Sequence, residues 1–195
     1  MTIDNFEKVK EILDFESDVE YFYMIEILKR KKDKGNEHVN KNSKIIDYFY
    51  IYSSDDLDKY KFIIQEKCKS NNARAYIRIT RRDLKKVGFA VAQRTLEYLS
   101  KEQYRPIQKV YPKVCGSMPD KKKKWLIDLD DLEHKNAVVE YLKKSNISFT
   151  EISTVSGIHY ITDPFNLHEY GNFFEKLDIT IHKDNSTLLF FNGTC

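Results

Sequence analysis

Glycine and proline are scarce in this chain, 6 and 4 among 195 residues, which excludes low-complexity, collagen-like and linker-dominated architectures. Cysteine is scarce too. Cys68, Cys115 and Cys195 form an odd set with no Cys-x-x-Cys spacing, which argues against a disulfide framework or a structural zinc site and fits a reduced, intracellular chain. No apolar run approaches bilayer-spanning length. The early residues Asp4, Glu7, Glu11, Asp14, Glu16, Asp18 and Glu20 are the opposite of a signal peptide's basic start. We therefore expect a cytoplasmic protein with no membrane partner. Net charge is small as well: 33 Lys+Arg against 30 Asp+Glu leaves +3, so bulk charge selects no nucleic-acid partner and local clusters must be inspected. Apolar residues, by contrast, make up 41% of the chain, with 12 Phe and 13 Tyr. That is enough for one domain, or two tightly joined halves.

Periodicity and turn residues predict an α+β fold. Residues 3–14 carry apolar side chains at helical spacing. Residues 21–28 and 45–52 read as antiparallel strands around a solvated loop beginning at Lys29. A helix capped by Ser54 or Asp55 and running to about Lys69, a strand over 73–79 and a helix over 83–100 follow, and Pro106 and Pro112 break up the connector. From Trp125 the order is strand 125–129, helix 134–144, strands 147–152 and 158–162, helix 166–174, and a closing hairpin of 179–182 with 187–191. The order β-α-β-β-α-β is that of a ferredoxin-like or RNA-recognition-motif-like unit. We divide the chain into an N-terminal α/β unit with a helical connector, residues 1–120, and an RNA-recognition-motif-like unit, residues 121–195, forming one compact domain.

The chemistry concentrates where an apolar strand runs into acids, Trp125-Leu126-Ile127-Asp128-Leu129-Asp130-Asp131. Side chains alternate along a strand, so Asp128 and Asp130 share a face. Two carboxylates so placed repel unless a divalent cation, a proton or a cationic side chain lies between them. Hard oxygen ligands suit magnesium or manganese. An acidic turn with Asp131 capping the next helix explains the same residues without chemistry. In the predicted unit the first and third strands are antiparallel neighbours, which brings His159 toward Asp128 and Asp130. Asp178 reaches the same edge, and Gly157 permits a phosphate or backbone to come close. Arg74, Arg78, Arg81 and Arg82 cluster around one strand. They suit phosphate recognition or ordinary surface pairing. Lys121, Lys122, Lys123 and Lys124 form either a solvated tether or the rim of a nucleic-acid site. Cys115 has no histidine partner at a recognisable spacing and is not expected to be a nucleophile.

The run ending Asp128-Leu129-Asp130, the stretch Ser156-Gly157-Ile158-His159-Tyr160-Ile161, and Leu177-Asp178 together resemble the three motifs of the archaeo-eukaryotic primase superfamily. The likeness covers residues 70–191 by order. It implies metal ligation, by Mg2+ or Mn2+, and catalysis through Asp128, Asp130 and Asp178, with Asp163 and Asp184 as alternatives for the third acid. It also implies nucleotide binding at Ser156, Gly157 and His159, with Lys183, Arg74 and Arg78 adding charge. Template would lie along Arg81, Arg82 and Lys121–Lys124. The implied partners are a nucleoside triphosphate and single-stranded or primed DNA or RNA. The turn before His159 is shorter than the family's, and no zinc-binding cysteine set is present. Stretches such as Asn72-Ala73-Arg74-Ala75-Tyr76-Ile77 also look like those of small phage proteins, so a non-catalytic phage protein that binds nucleic acid or a host partner is the alternative. A metal-dependent nuclease built on the same acids is a third. His159 with His182 is also similar to the paired histidines of certain phosphoesterases. Those carry a hydroxyl two residues after each histidine; here Ile161 and Asp184 stand at those positions.

Overall fold

The computed structural model describes residues 1–15 and 20–193. Glu16, Asp18 and Cys195, which entered the reading above, lie outside the described residues. The chain opens with strand β1 (Thr2–Asp4) and helix α1 (Phe6–Ile12), so the single opening helix expected over 3–14 is shortened at its start. Thr2–Asp4 forms a strand because it pairs with the far C-terminal segment, a contact no local pattern announces. Strands β2 (Tyr21–Arg30) and β3 (Ser43–Ile51) form the expected antiparallel pair. Helix α2 (Ser54–Asn71) is capped by the Ser53 hydroxyl and ends at Asn72 in the left-handed region, φ 47°. Then come β4 (Arg74–Arg78), the two-residue β5 (Arg82–Asp83), and α3 (Leu84–Ser100), which the Asp83 carboxylate caps. A short 3-10 turn leads into α4 (Val110–Ser117).

Strand β6 (Trp125–Leu129), helix α5 (Lys135–Lys144), β7 (Phe149–Ser153), β8 (Ile158–Thr162), α6 (Leu167–Lys176) and β9 (Thr180–His182) complete a β-α-β-β-α-β run. They form one antiparallel sheet in the order β7-β8-β6-β9, the split arrangement of ferredoxin-like units. The expected closing hairpin does not form. Strand β10 (Ser186–Asn192) leaves this sheet and inserts between β1 and β4 of the larger one, whose order is β1-β10-β4-β2-β3. Leu188, Leu189, Phe190 and Phe191 are all buried. A strand apolar on both faces belongs inside a sheet rather than at an edge.

The boundary at residue 120 is therefore not a boundary in space. One core unites Ile25, Ile27, Ile77 and Leu189 of the large sheet with Leu126, Ile152 and Ile161 of the small one. The small sheet's other face, Ile127, Leu129 and Tyr160, is closed by Val138 and Leu142 of α5 and Phe174 of α6. Helices α3 and α4 pack through Val87, Val110 and Val114 on Phe22 and Met24. Cys68 and Cys115 are buried, and burial pushes their thiols up to about 12 and about 11. Neither is a thiolate nucleophile at neutral pH. No helix among the described residues is long and apolar enough to cross a membrane.

Candidate functional site

Strand β6 turns Ile127 and Leu129 toward the helices and leaves Leu126 and Asp128 on the opposite face. Asp128 stands directly across from His159 of β8 and from Thr180 of β9. His159 Nε2 lies 3.2 Å from one Asp128 carboxylate oxygen, and His182 Nε2 lies 3.9 Å from the other. His159 Nδ1 is 2.9 Å from the Thr187 hydroxyl, which β10 presents fully buried. With Nε2 donating to the carboxylate, the Nδ1 of a neutral ring accepts from Thr187. Both ring nitrogens are thus engaged within the protein. His159 holds Asp128 in place and has no nitrogen left over for a phosphate.

The hydrogen bond from His159 holds the Asp128 carboxyl below the usual aspartate range. Partial burial opposes it, and the His182 imidazole and Lys32 ammonium add to the lowering. A carboxyl held low in the folded state binds fewer protons there than in the unfolded chain. Its contribution is complete above the unfolded value of about 4 and is lost as pH falls through the folded value. Asp128→Asn is therefore expected to flatten the acid side of the unfolding free energy–pH profile below about 4. An unchanged slope would mean that His159 does not hold this carboxylate.

Asp130 follows the strand end and accepts from the Ser156 hydroxyl at 3.1 Å. The turn carrying Ser156 is held against β6 by Gly157. A Cβ there would sit 2.0 Å from the Leu129 carbonyl oxygen and 2.9 Å from the Asp130 Cα. The close approach that Gly157 permits is thus one of backbone on backbone. Asp131 accepts from the Glu133 amide at 2.9 Å and caps the following 3-10 turn, as its acidic-turn reading anticipated.

These residues form one wall of a cleft of about 260 Å³. It is lined by Asp128, Asp130, Ser156 and His159, by Arg30 and Lys32 of the β2–β3 hairpin, and by Arg74 and Tyr76 of β4. Arg74 lines the cleft yet is committed elsewhere: its guanidinium makes a two-point ion pair with buried Asp33 and stacks 4.9 Å from the centre of the Phe191 ring. Arg30 and Lys32 make no ion pair with any described residue. Sequence reasoning missed both, having read the basic stretch after Leu28 as a solvated loop. The signal was there in the unbroken Lys29-Arg30-Lys31-Lys32 run, but its place beside Asp130 depends on how the two sheets meet.

Other expected residues lie away from this cleft. Asp178 is outside it, in an adjoining depression with Asp128, Asp130 and His134. Its left-handed backbone, φ 54°, and its amide's bond to Glu175 are those of a helix C-terminus. Arg82 is completely buried; its guanidinium donates to the Cys115 and Thr80 carbonyls and pairs with Asp184. Arg81 pairs with Asp14 and Asp120 and stacks on Tyr21. Both arginines tie segments together, and Arg82 is closed to solvent. Arg78 is half-buried beside Glu26, while Lys183 lies over the Trp125 ring. Lys122 and Lys124 pair with Asp14 and Asp163; Lys121 remains exposed and Lys123 half-exposed. Asp163 and Asp184, the alternatives for the third acid, line neither the cleft nor the adjoining depression and pair with Lys124 and Arg82.

No group of three His, Cys, Asp or Glu side chains among the described residues converges well enough to hold a metal ion. Asp128 and Asp130 are the two acids that line the cleft. Magnesium in phosphate-handling sites commonly takes only one or two carboxylates and completes its shell with substrate oxygens and water. The residues present therefore fit a metal that arrives with a phosphorylated ligand, and do not fit a self-sufficient three-acid cage. No protein-family model matches the chain, and no curated protein or solved structure shows a significant likeness to it.

Proposed function

We propose that the cleft binds a nucleoside triphosphate and that the chain is a nucleotidyltransferase of the primase-polymerase kind. A single observation carries this reading: acids Asp128 and Asp130 line one cleft together with the cations Arg30 and Lys32, neither of which makes an ion pair with a described residue. A simple anion would be repelled by the acids, and a simple cation by Arg30 and Lys32. A nucleotide satisfies both walls, because phosphates take charge-assisted bonds from cations while carboxylates accept from sugar hydroxyls or hold a phosphate-bound ion. About 260 Å³ is small beside pockets that enclose whole drug-sized ligands. The cleft accordingly takes the phosphates and sugar and leaves the base at its mouth.

Arg30 and Lys32 bind and orient the phosphates. Asp130, steadied by Ser156, and Asp128, steadied by His159, set the acidic wall. Asp128 and Asp130 would hold Mg2+ or Mn2+, which supplies charge neutralisation to the phosphates.

The reading is tested by measuring ATP and dATP binding with magnesium or manganese. Arg30→Ala/Lys32→Ala is expected to weaken binding about tenfold or more. Asp128→Asn/Asp130→Asn is expected to remove its metal dependence. Wild-type protein that binds neither nucleotide overturns the reading. The missing third ligand favours a second one, a non-catalytic nucleic-acid-binding or host-interaction protein of phage type on the same fold. Nucleotide binding without primer extension would select it, and metal-dependent shortening of DNA would select a nuclease.

A further inference from the structure

The connection between β2 and β3 is an ordered structure. Asp33, Asn36 and Val39 are buried. Asp33 pairs with Arg74, the Asn36 side chain donates to the Asn72 carbonyl at 2.8 Å, and the Asn72 side chain donates to the Lys34 carbonyl at 2.7 Å. This scaffold holds out Arg30, Lys31, Lys32, Lys34, Lys41 and Lys44, none of which makes an ion pair with a described residue. Of the acids nearby in sequence, Asp33 is committed to Arg74 and Asp47 to Lys67, while exposed Glu37 accepts from the Gly35 amide and stands near Lys34.

The register sharpens the point. Lys29 of β2 stands directly opposite Lys44 of β3. Like charges directly opposite one another destabilise a strand pair, and neither lysine makes an ion pair with a described residue. A second hollow, lined by Arg30, Lys31, Lys32 and Asn42, shares Arg30 and Lys32 with the cleft. The cations thus run continuously from the hairpin end to the acidic wall. Of the basic residues expected to hold template, by contrast, Arg81, Arg82, Lys122 and Lys124 pair with acids, and Lys121 and Lys123 do not.

We infer that the end of the β2–β3 hairpin binds the phosphate backbone of a nucleic-acid strand and leads it toward the cleft. The binding stands on the unpaired cations, whereas the direction of the strand rests on the nucleotide reading above. Unpaired lysines and arginines on a fixed ridge are what sequence-independent phosphate contact requires, and the counterions they displace make such binding salt-dependent.

The test uses the full chain and a labelled single-stranded oligonucleotide, with affinity measured across salt concentrations. The variant Lys31→Ala/Lys41→Ala/Lys44→Ala spares Arg30 and Lys32, and it spares the buried anchors Asp33 and Asn36. It is expected to make the slope of log affinity against log salt shallower by up to about 2, at about 0.7 per phosphate contact on a single strand. ATP binding should stay at the wild-type value and Tm should not fall, since Lys44→Ala removes a like-charge pair; this separates a failure here from a failure of the nucleotide reading. An unchanged slope overturns the inference, as does loss that appears only in Lys121→Ala/Lys123→Ala. Equal competition by polyglutamate, which carries charge without phosphates, overturns the nucleic-acid assignment.

Discussion

Gly157→Ala is expected to lower Tm by roughly 6–12 °C, corresponding to about 3 kcal/mol in a chain of this size, and to abolish nucleotide binding. The added methyl carbon would lie 2.0 Å from the Leu129 carbonyl oxygen and 2.9 Å from the Asp130 Cα. Both are backbone atoms of the strand that carries the acids, so no rotamer change relieves the clash. Either β6 or the turn before β8 must move. Movement of β6 shifts Asp128 away from His159; movement of the turn pulls Ser156 from Asp130. Overpacking of this kind typically costs about 1–3 kcal/mol where flexible side chains give way, and more where they cannot. Thermal unfolding and ATP titration on the same protein check both halves. A Tm within about 2 °C of wild type would mean that the turn relaxes at little cost, and that Gly157 is not what fixes the site.

Arg74→Leu is expected to be at least as damaging, at about 3–5 kcal/mol, because it strands a charge in the interior. The side chain of Asp33 is 1% exposed and that of Arg74 only 5%. Leaving the Asp33 carboxylate without its two-point partner incurs its desolvation with nothing in return. Replacing both residues, Arg74→Leu/Asp33→Asn, removes the buried charge and is expected to recover a large part of the loss. The single variant should also loosen residues 31–42, read as faster amide hydrogen exchange there, since Asp33 is one of the anchors of that segment. A cost below about 1 kcal/mol would mean that the pair behaves as an exposed ion pair. The structural role of Arg74 would then be wrong, and its guanidinium would be free to serve a ligand.

Arg74 illustrates how residue type misleads when burial is unknown. Four arginines around one strand read as a phosphate surface, since guanidinium geometry suits phosphate and carboxylate alike. Which of the two each one meets depends on acids far away in sequence: Asp33 for Arg74, Asp14 and Asp120 for Arg81, Asp184 for Arg82. The lysines beyond Leu28 read as an ordinary solvated loop, yet they stay unpaired beside the cleft. Opposite functional weights were assigned because charge pairing is a tertiary property.

Local pattern determined a good deal by itself. The α+β class, most helices and strands, and the cap at Asp131 follow from period, propensity and side-chain hydrogen bonding over a few residues. The meeting of Asp128 with His159 also followed, because strand parity and the antiparallel neighbours of a β-α-β-β-α-β unit leave little freedom. Only the tertiary structure decided that β10 abandons its expected hairpin for the large sheet, bringing Thr187 to His159 and fusing both units into one core. Only there, too, did Arg30 and Lys32 acquire their place opposite Asp130. The physical reason is common to both. Short-range preferences fix what a segment becomes, while burial of its second face and neutralisation of its charges depend on partners that the chain supplies from far along its length.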